Sequence, residues 1–183
     1  KDQNVHATTS EYRYYLNYCT FSYSMSMWDE ARWMKELDWM ALHGINLPLQ
    51  IVGIDAVWYQ MLTEDFGFTH DEANQFVVGP AFQGWWLMNN IVALGGPNPK
   101  WWYDRSAALG KKISDRMREL GMKPCLPGFV GMVPHKYVTD KGLKSFEMKW
   151  CGMQSPDILN PSGQTDAFNQ LAQRYYERIQ KVY

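Results

Sequence analysis

Three short runs of apolar and aromatic residues predict β-strands along the chain. They are residues 14–21, 46–52 and 122–129. The second run is almost continuously apolar and lies between Gly44 and Gly53, which is typical of a strand that helices bury on both faces. Prolines in the second and third runs argue against long strands there, because proline cannot donate a hydrogen bond to a β-ladder.

Between these runs, apolar residues recur at helical spacing, which predicts helices there. Ser26 and Asp29 form a capping-box pattern that predicts a helix start, and Gly44 suits the left-handed residue that closes a helix. Thr69 and Glu72 repeat the capping pattern before a short helix. Further helices are predicted over residues 56–66, 73–77, 99–120 and 168–183.

The alternation of strands and helices predicts an α/β fold with parallel strands. Three such strands with long helical connections fit either an open doubly wound sheet or the first part of an eight-stranded barrel. The last helix reaches Tyr183 in mid-pattern, so we expect the next strand to be missing from this chain. Gly95 and Gly96 stand beside a proline and indicate a turn. No glycine-rich phosphate-binding motif follows any of the predicted strands, which argues against a nucleotide cofactor.

Composition and charge narrow the possible functions of the 183-residue chain. Hydrophobic residues make up 46% and charged residues 20%, which excludes intrinsic disorder. The formal net charge of -1 leaves no basic stripe, so we expect no nucleic-acid partner. The longest apolar stretch, residues 84–96, is interrupted by two asparagines and is shorter than the roughly 20 residues of a membrane span, so we expect no membrane partner.

The spacing of potential metal ligands gives no metal signature. The histidines are scattered and the cysteines form no CxxC pair, so we expect neither a metal site nor a cofactor. These residues are His6, His43, His70 and His135, together with Cys19, Cys125 and Cys151.

Carboxylates are the side chains that glycoside hydrolysis would need. Two of them must face one glycosidic bond, and in a barrel they project from the carboxyl ends of the strands. The predicted strand ends carry no acid except the nearby Asp55, which we interpret as a helix N-cap. We therefore expect no catalytic residue in this chain.

Polar and aromatic residues follow the predicted strands instead. Asn17 and Cys19 would share one face of the first strand by its two-residue period. The motifs PAFQGWWLMNN and KWCG, after the second and third strands, add Trp85, Met88, Asn90 and Trp150. An indole face packs on the apolar face of a pyranose and an amide binds its hydroxyls, so this set suits a sugar pocket. An aromatic core seam is the alternative, because large aromatic side chains usually lie in cores.

Five motifs, in this order, resemble those of the alpha-N-acetylglucosaminidases, glycoside hydrolase family 89. They are RYYLNYCTFSYS, WDEARWMKELDWMALHGINLPL, VVGPAFQGWWLMNN, MRELGMKPCLPGFVGMVP and KWCG, and the resemblance extends from about Tyr12 to Tyr183. It implies an α/β chain that is a partial (β/α)8 TIM barrel of roughly the first three β/α units. Residues 1–11 would be a linker from a missing N-terminal domain, and residues 12–183 the N-terminal portion of the catalytic domain, truncated at the C-terminus.

The resemblance also implies an activity. Enzymes of this family are retaining exo-glycosidases that remove terminal alpha-linked N-acetylglucosamine from heparan sulfate or mucin-type glycans. The implied partners are such a glycan and the remainder of the catalytic domain, and a lysosomal, periplasmic or secreted location is expected. The family's two catalytic Glu come from strands beyond the third, so this chain alone would be inactive. The positions that match the family's sugar pocket are Asn17, Cys19, Trp85, Met88 and Trp150, with Asn90 and Tyr23 in matching motifs.

Three hypotheses remain open from the sequence. The first is that the chain supplies one wall of the sugar pocket of such a glycosidase. The second is a non-catalytic sugar-binding module that uses Trp85 and Trp150 as platforms. The third is a barrel fragment in which these aromatic residues belong only to the core.

Overall fold

The computed structural model describes residues 7–183. Of the expected linker over residues 1–11, the part up to residue 6, with His6, lies outside the described residues. The strands are β1 (Tyr14–Tyr15), β2 (Leu47–Pro48), β3 (Met132–Val133), β4 (Ser145–Glu147) and β5 (Asp157–Leu159). The α-helices are α1 (Tyr18–Thr20), α2 (Glu30–Leu42), α3 (Ile54–Gln60), α4 (His70–Asn74), α5 (Gln83–Leu87), α6 (Lys100–Glu119), α7 (His135–Lys141) and α8 (Thr165–Val182). Phe21–Met25 and Met61–Asp65 extend α1 and α3 as π-helical turns, and the 3-10 turn Pro80–Phe82 leads into α5.

Three parallel segments form a partial, non-closed sheet, as the sequence predicts. β1 pairs in parallel with β2, with Tyr15 opposite Pro48. The third segment joins the other edge of β2 through the parallel bridge between Leu49 and Cys125. The Cys125 amide donates to the Pro48 carbonyl at 2.9 Å, and the Gln50 amide donates back to the Cys125 carbonyl at 2.8 Å. The chain is therefore α/β, with its first, second and third predicted strands side by side.

All three predicted strands are too long, and the second is reduced to Leu47–Pro48 and the bridge at Leu49. Leu16 has a φ of 80°, which ends the extended chain, and Asn17 then caps α1 by accepting the Thr20 amide at 2.8 Å. Because a short amide side chain offers the backbone an alternative to the ladder, the first strand stops at Tyr15. The prediction that Asn17 and Cys19 share a strand face is therefore wrong. The third strand is reduced to the bridge at Cys125, since residues 124 and 127 are prolines without a donor.

Most predicted helices are present, with corrections at their caps. Asp29 alone caps α2, by accepting the Arg32 amide at 2.8 Å, whereas Ser26 belongs to the preceding turn. The capping box of Thr69 and Glu72 is confirmed at the start of α4. α6 begins after Pro99 as predicted. None of the helices in the part of the chain that the structure describes is both long and apolar enough to cross a membrane.

α2 and α3 each pack against α6, and α8 packs on α3 and α6. The approach of α6 to the sheet depends on Gly110, because a Cβ at this position would lie 2.1 Å from the carbonyl oxygen of Val52. The largest fully buried side chains of this core include Trp33, Trp86, Tyr103, Tyr175 and Phe76. The large aromatic content of the sequence is thus used mainly in packing.

Asp55 is not the N-cap of a helix, contrary to the prediction. Gly53, with a φ of 98°, is the residue that precedes α3, and Asp55 lies in the first turn with no exposed surface. Its carboxylate accepts hydrogen bonds from the Ser106 hydroxyl at 2.6 Å and from the Trp102 indole at 2.8 Å. Burial raises the pKa of Asp55, although these hydrogen bonds oppose the shift. The residue ties α3 to α6 inside the core.

A second, antiparallel sheet was not predicted. Its strand order is β3–β5–β4, and it lies between the third parallel segment and α8 in the chain. The strands are two or three residues long, so their side-chain alternation is too brief to stand out in the sequence.

Candidate functional site

Six of the seven residues predicted to bind sugar gather where α1 and its π-helical extension pack against α5. Gly84 makes this contact close, because its amide donates to the Ser22 hydroxyl at 2.9 Å and a Cβ would lie 2.2 Å from the Tyr18 carbonyl oxygen. The segment after β1 is therefore held directly on α5. We call the surface formed by residues 17–23 and 85–90 the α1–α5 face.

Two aromatic residues of the α1–α5 face contact each other. The rings of Tyr23 and Trp85 lie edge to face, with centroids 5.2 Å apart and an interplanar angle of 88°. Tyr23 is 78% exposed, whereas Trp85 is partly buried and packs against the core. Phe82 approaches the same indole with a centroid distance of 6.2 Å. Trp85 is thus fixed from two sides, as a stacking platform requires.

The end of α5 sets the positions of Met88 and Asn90. The amide of Met88 donates to the Gly84 carbonyl at 3.2 Å, and the amide of Asn90 donates to the Trp85 carbonyl at 3.0 Å. Asn89 between them has a φ of 65°, a conformation that asparagine tolerates better than most residues. Met88 and Asn90 are partly buried and follow the platform directly.

Sequence analysis missed two neighbours that support this turn. Trp86 is fully buried beneath it, and Asn89 supplies its left-handed residue. Within residues 7–183, the Trp86 indole nitrogen and the Asn89 side-chain oxygen have no hydrogen-bond partner. The signal for Asn89 was the paired asparagine at the end of a short helix, since asparagine often takes the position after a helix terminus.

Trp150 lies on a separate loop, between β4 and β5. It is 37% exposed, and its carbonyl accepts the Met153 amide at 3.0 Å, which closes a tight turn. The same loop is joined to the chain just beyond Asn90, because the Val92 amide donates to the Gln154 carbonyl at 3.0 Å. The rings of Trp150 and Trp85 do not form an aromatic pair within residues 7–183. The structure therefore brings Tyr23 and Trp85 into contact and attaches the Trp150 loop nearby through the backbone.

Asn17 and Cys19 lie at the start of this face, on the side of β1. The Asn17 side chain is exposed although its oxygen caps α1, and Cys19 is partly buried. Partial burial raises the pKa of Tyr14 and of Tyr18, and the nearby Cys125 thiol adds to both shifts. These tyrosines are therefore neutral at physiological pH. All seven predicted site residues are also uncharged, so the face suits binding of a neutral polar ligand and offers no acid for proton transfer.

Comparisons with known proteins point to one family. A family model described as "Alpha-N-acetylglucosaminidase (NAGLU) tim-barrel domain" matches residues 13–183. The human protein named alpha-N-acetylglucosaminidase is 47% identical over 128 residues, which cover 70% of this chain. A family 89 glycoside hydrolase from Clostridium perfringens, solved with 2-acetamido-1,2-dideoxynojirmycin, has a TM-score of 0.89 and 38% identity over 96% of this chain. A substituted form of the Clostridium perfringens enzyme, solved with its substrate GlcNAc-alpha-1,4-galactose, matches equally well.

This chain spans a small part of these relatives. The match covers 17% of the human protein and 20% of the Clostridium perfringens chain.

Proposed function

Because the chain belongs to the alpha-N-acetylglucosaminidase TIM-barrel family, we propose that it forms roughly the first three β/α units of the catalytic (β/α)8 barrel of a retaining exo-glycosidase. Residues 12–183 are the N-terminal portion of that barrel, and residues 1–11 are a linker from a preceding domain. The enzyme removes terminal alpha-linked N-acetylglucosamine from heparan sulfate or mucin-type glycans. The remainder of the catalytic domain is the chain's physical partner.

The contact between Tyr23 and Trp85 is the observation that supports this proposal most directly. It places an oriented indole on the α1–α5 face, beside the carboxyl end of β1. In TIM-barrel enzymes the active site lies at the carboxyl ends of the strands. The α1–α5 face is then one wall of the sugar pocket.

The proposed roles follow from the chemistry of each side chain. Trp85 and Trp150 present apolar ring surfaces to the C–H face of the sugar. Asn17 and Asn90 offer amide groups to its hydroxyl or acetamido groups. Cys19, Met88 and Tyr23 complete the wall and exclude water.

Bond cleavage is assigned to groups outside this chain. A retaining enzyme needs one carboxylic acid to protonate the leaving oxygen and one carboxylate to form the glycosyl intermediate. The acid nearest to a parallel segment end, Asp55, is fully buried and occupied by Ser106 and Trp102. We propose that the two catalytic Glu lie on later strands of the barrel, as the family resemblance implies.

Steady-state kinetics test the pocket wall in the polypeptide expressed from the complete reading frame that encodes this chain. With GlcNAc-alpha-1,4-galactose as substrate, Trp85→Ala should lower kcat/KM by about tenfold, because an aromatic contact contributes roughly 0.5–1.5 kcal/mol beyond the apolar area that it buries. The matched control is Trp101→Ala on α6, a tryptophan that is 60% exposed outside the face. An unchanged kcat/KM in folded Trp85→Ala would contradict the wall and favour an aromatic core.

The hypothesis of a non-catalytic sugar-binding module predicts a different result. Its isolated 183-residue chain would bind N-acetylglucosamine on its own. Calorimetric titration with that sugar therefore separates the two hypotheses, since one wall of a pocket buries too little of a sugar for measurable affinity.

A further inference from the structure

The antiparallel sheet places two carboxylates opposite each other. The register of β4 and β5 pairs Glu147 with Asp157, so both side chains lie on the same face of the sheet. Like charges directly opposite each other destabilise a sheet. This arrangement calls for a positive group beside the two carboxylates.

No lysine or arginine of residues 7–183 forms an ion pair with Asp157 or Glu147. Lys136, which is near in the chain, is paired with Glu72 and Asp140 instead. Only 6% of the Asp157 side chain is exposed, so water screens its charge poorly. The group that faces Asp157 is the imidazole of His135.

His135 is the first residue of α7, directly after Pro134 at the end of β3. Its Nδ1 lies 2.8 Å from Asp157 Oδ2. The Thr139 hydroxyl donates to the His135 carbonyl at 3.0 Å, and its oxygen lies 3.3 Å from His135 Nε2. The 2.8 Å contact of Nδ1 with the Asp157 carboxylate is a hydrogen bond whose proton a bound metal ion would displace.

We propose that His135, Glu147 and Asp157 bind one divalent transition-metal ion of the zinc type. Their ligand atoms lie within 4.8 Å of one another. One imidazole nitrogen and two carboxylate oxygens are donors that zinc accepts, and they leave a position for water. Two ligand atoms on one tetrahedral zinc ion lie about 3.4 Å apart. The exposed Glu147 carboxylate closes the site by rotating inward.

Neighbouring groups orient the ligands as in known metal sites. The Thr139 hydroxyl lies 3.3 Å from His135 Nε2, and the Ser145 hydroxyl donates to the other oxygen of Asp157 at 2.5 Å. Such outer partners hold metal ligands in place. The ion would tie β4 to β5, the two strands that flank the loop with Trp150. Sequence spacing gave no sign of this site, because its ligands come from three elements separated in the chain.

Calorimetric titration of the 183-residue chain with ZnCl2 near neutral pH tests the proposal. One equivalent should bind, and His135→Gln and Glu147→Gln should each weaken Kd by about tenfold or more. Both side chains are exposed, so these variants should fold. His43→Gln is the matched control, an exposed histidine at the end of α2, and should leave Kd unchanged. No saturable binding, or equal binding by all the variants, would show that His135 and Asp157 form an ion pair alone.

Cobalt substitution separates this site from binding by cysteine. Co2+ in the wild-type chain should give visible ligand-field absorption without the strong near-ultraviolet band of a thiolate ligand. Cys151→Ser, which removes the exposed thiol, should leave this spectrum unchanged. A thiolate band that disappears in Cys151→Ser would overturn the assignment.

Discussion

Asp55 on α3 accepts a 2.6 Å hydrogen bond from Ser106 on α6, and both residues are buried. The carboxylate also accepts the Trp102 indole at 2.8 Å. An ionisable group is therefore part of the contact between two helices beside the parallel sheet.

Replacing Asp55 by asparagine should destabilise the chain. The amide retains the shape of the carboxyl group but cannot accept from both Ser106 and Trp102 as well as the carboxylate does, so a buried donor loses its partner. We expect a loss of about 1–3 kcal/mol in the free energy of unfolding, measured by urea denaturation. Asp104→Asn, an exposed acid on α6, should change it little. An equal effect of the two substitutions would contradict this role for Asp55.

The contribution of Asp55 should also depend on pH. Burial raises its pKa in the folded state above the ordinary value of 3.8, so folding favours the protonated form. The stability it contributes is fully present below that value and is lost as pH rises through the folded pKa. The difference in unfolding free energy between wild type and Asp55→Asn should therefore shrink as pH rises above the ordinary value of 3.8. A difference that grows with pH would show that the hydrogen bonds outweigh burial.

Gly84 should be required for the α1–α5 face. In Gly84→Ala the new Cβ would lie 2.2 Å from the Tyr18 carbonyl, so α5 must move away from the segment after β1. We expect a loss of about 1–3 kcal/mol in unfolding free energy and loss of the nuclear Overhauser contacts between the Tyr23 and Trp85 rings.

The control for this substitution is Gly96→Ala. A Cβ at Gly96 would meet nothing closer than 3.6 Å. Ring contacts that persist in Gly84→Ala would mean that Tyr23 and Trp85 are held together by something other than this close backbone approach.

The parallel arrangement of the three segments could be predicted from the sequence, because helices with clear start and stop residues connect the apolar runs. The length of the first strand could not, since the left-handed Leu16 carries no sequence signal. The antiparallel sheet was also missed, because pairing between residues as distant as Glu147 and Asp157 depends on tertiary contacts.

The candidate site was predicted in part. The motif PAFQGWWLMNN brought Trp85, Met88 and Asn90 into one short segment, and in the structure this segment is α5 and the turn that follows it. The contact of Trp85 with Tyr23 could not be predicted, because residues 14–21 were expected to form an extended strand. In the structure a π-helical turn follows α1 and brings Tyr23 against Trp85. Whether these residues contact a sugar remains a proposal.

We propose that this chain supplies a binding wall while later strands supply both catalytic carboxyl groups. The most direct measurement is the release of p-nitrophenol from p-nitrophenyl N-acetyl-alpha-glucosaminide by the purified 183-residue chain and by the product of the complete reading frame. We expect turnover from the complete product and none above the buffer rate from the 183 residues alone. Hydrolysis by the isolated chain, abolished in a variant of one of its own acids, would contradict the account.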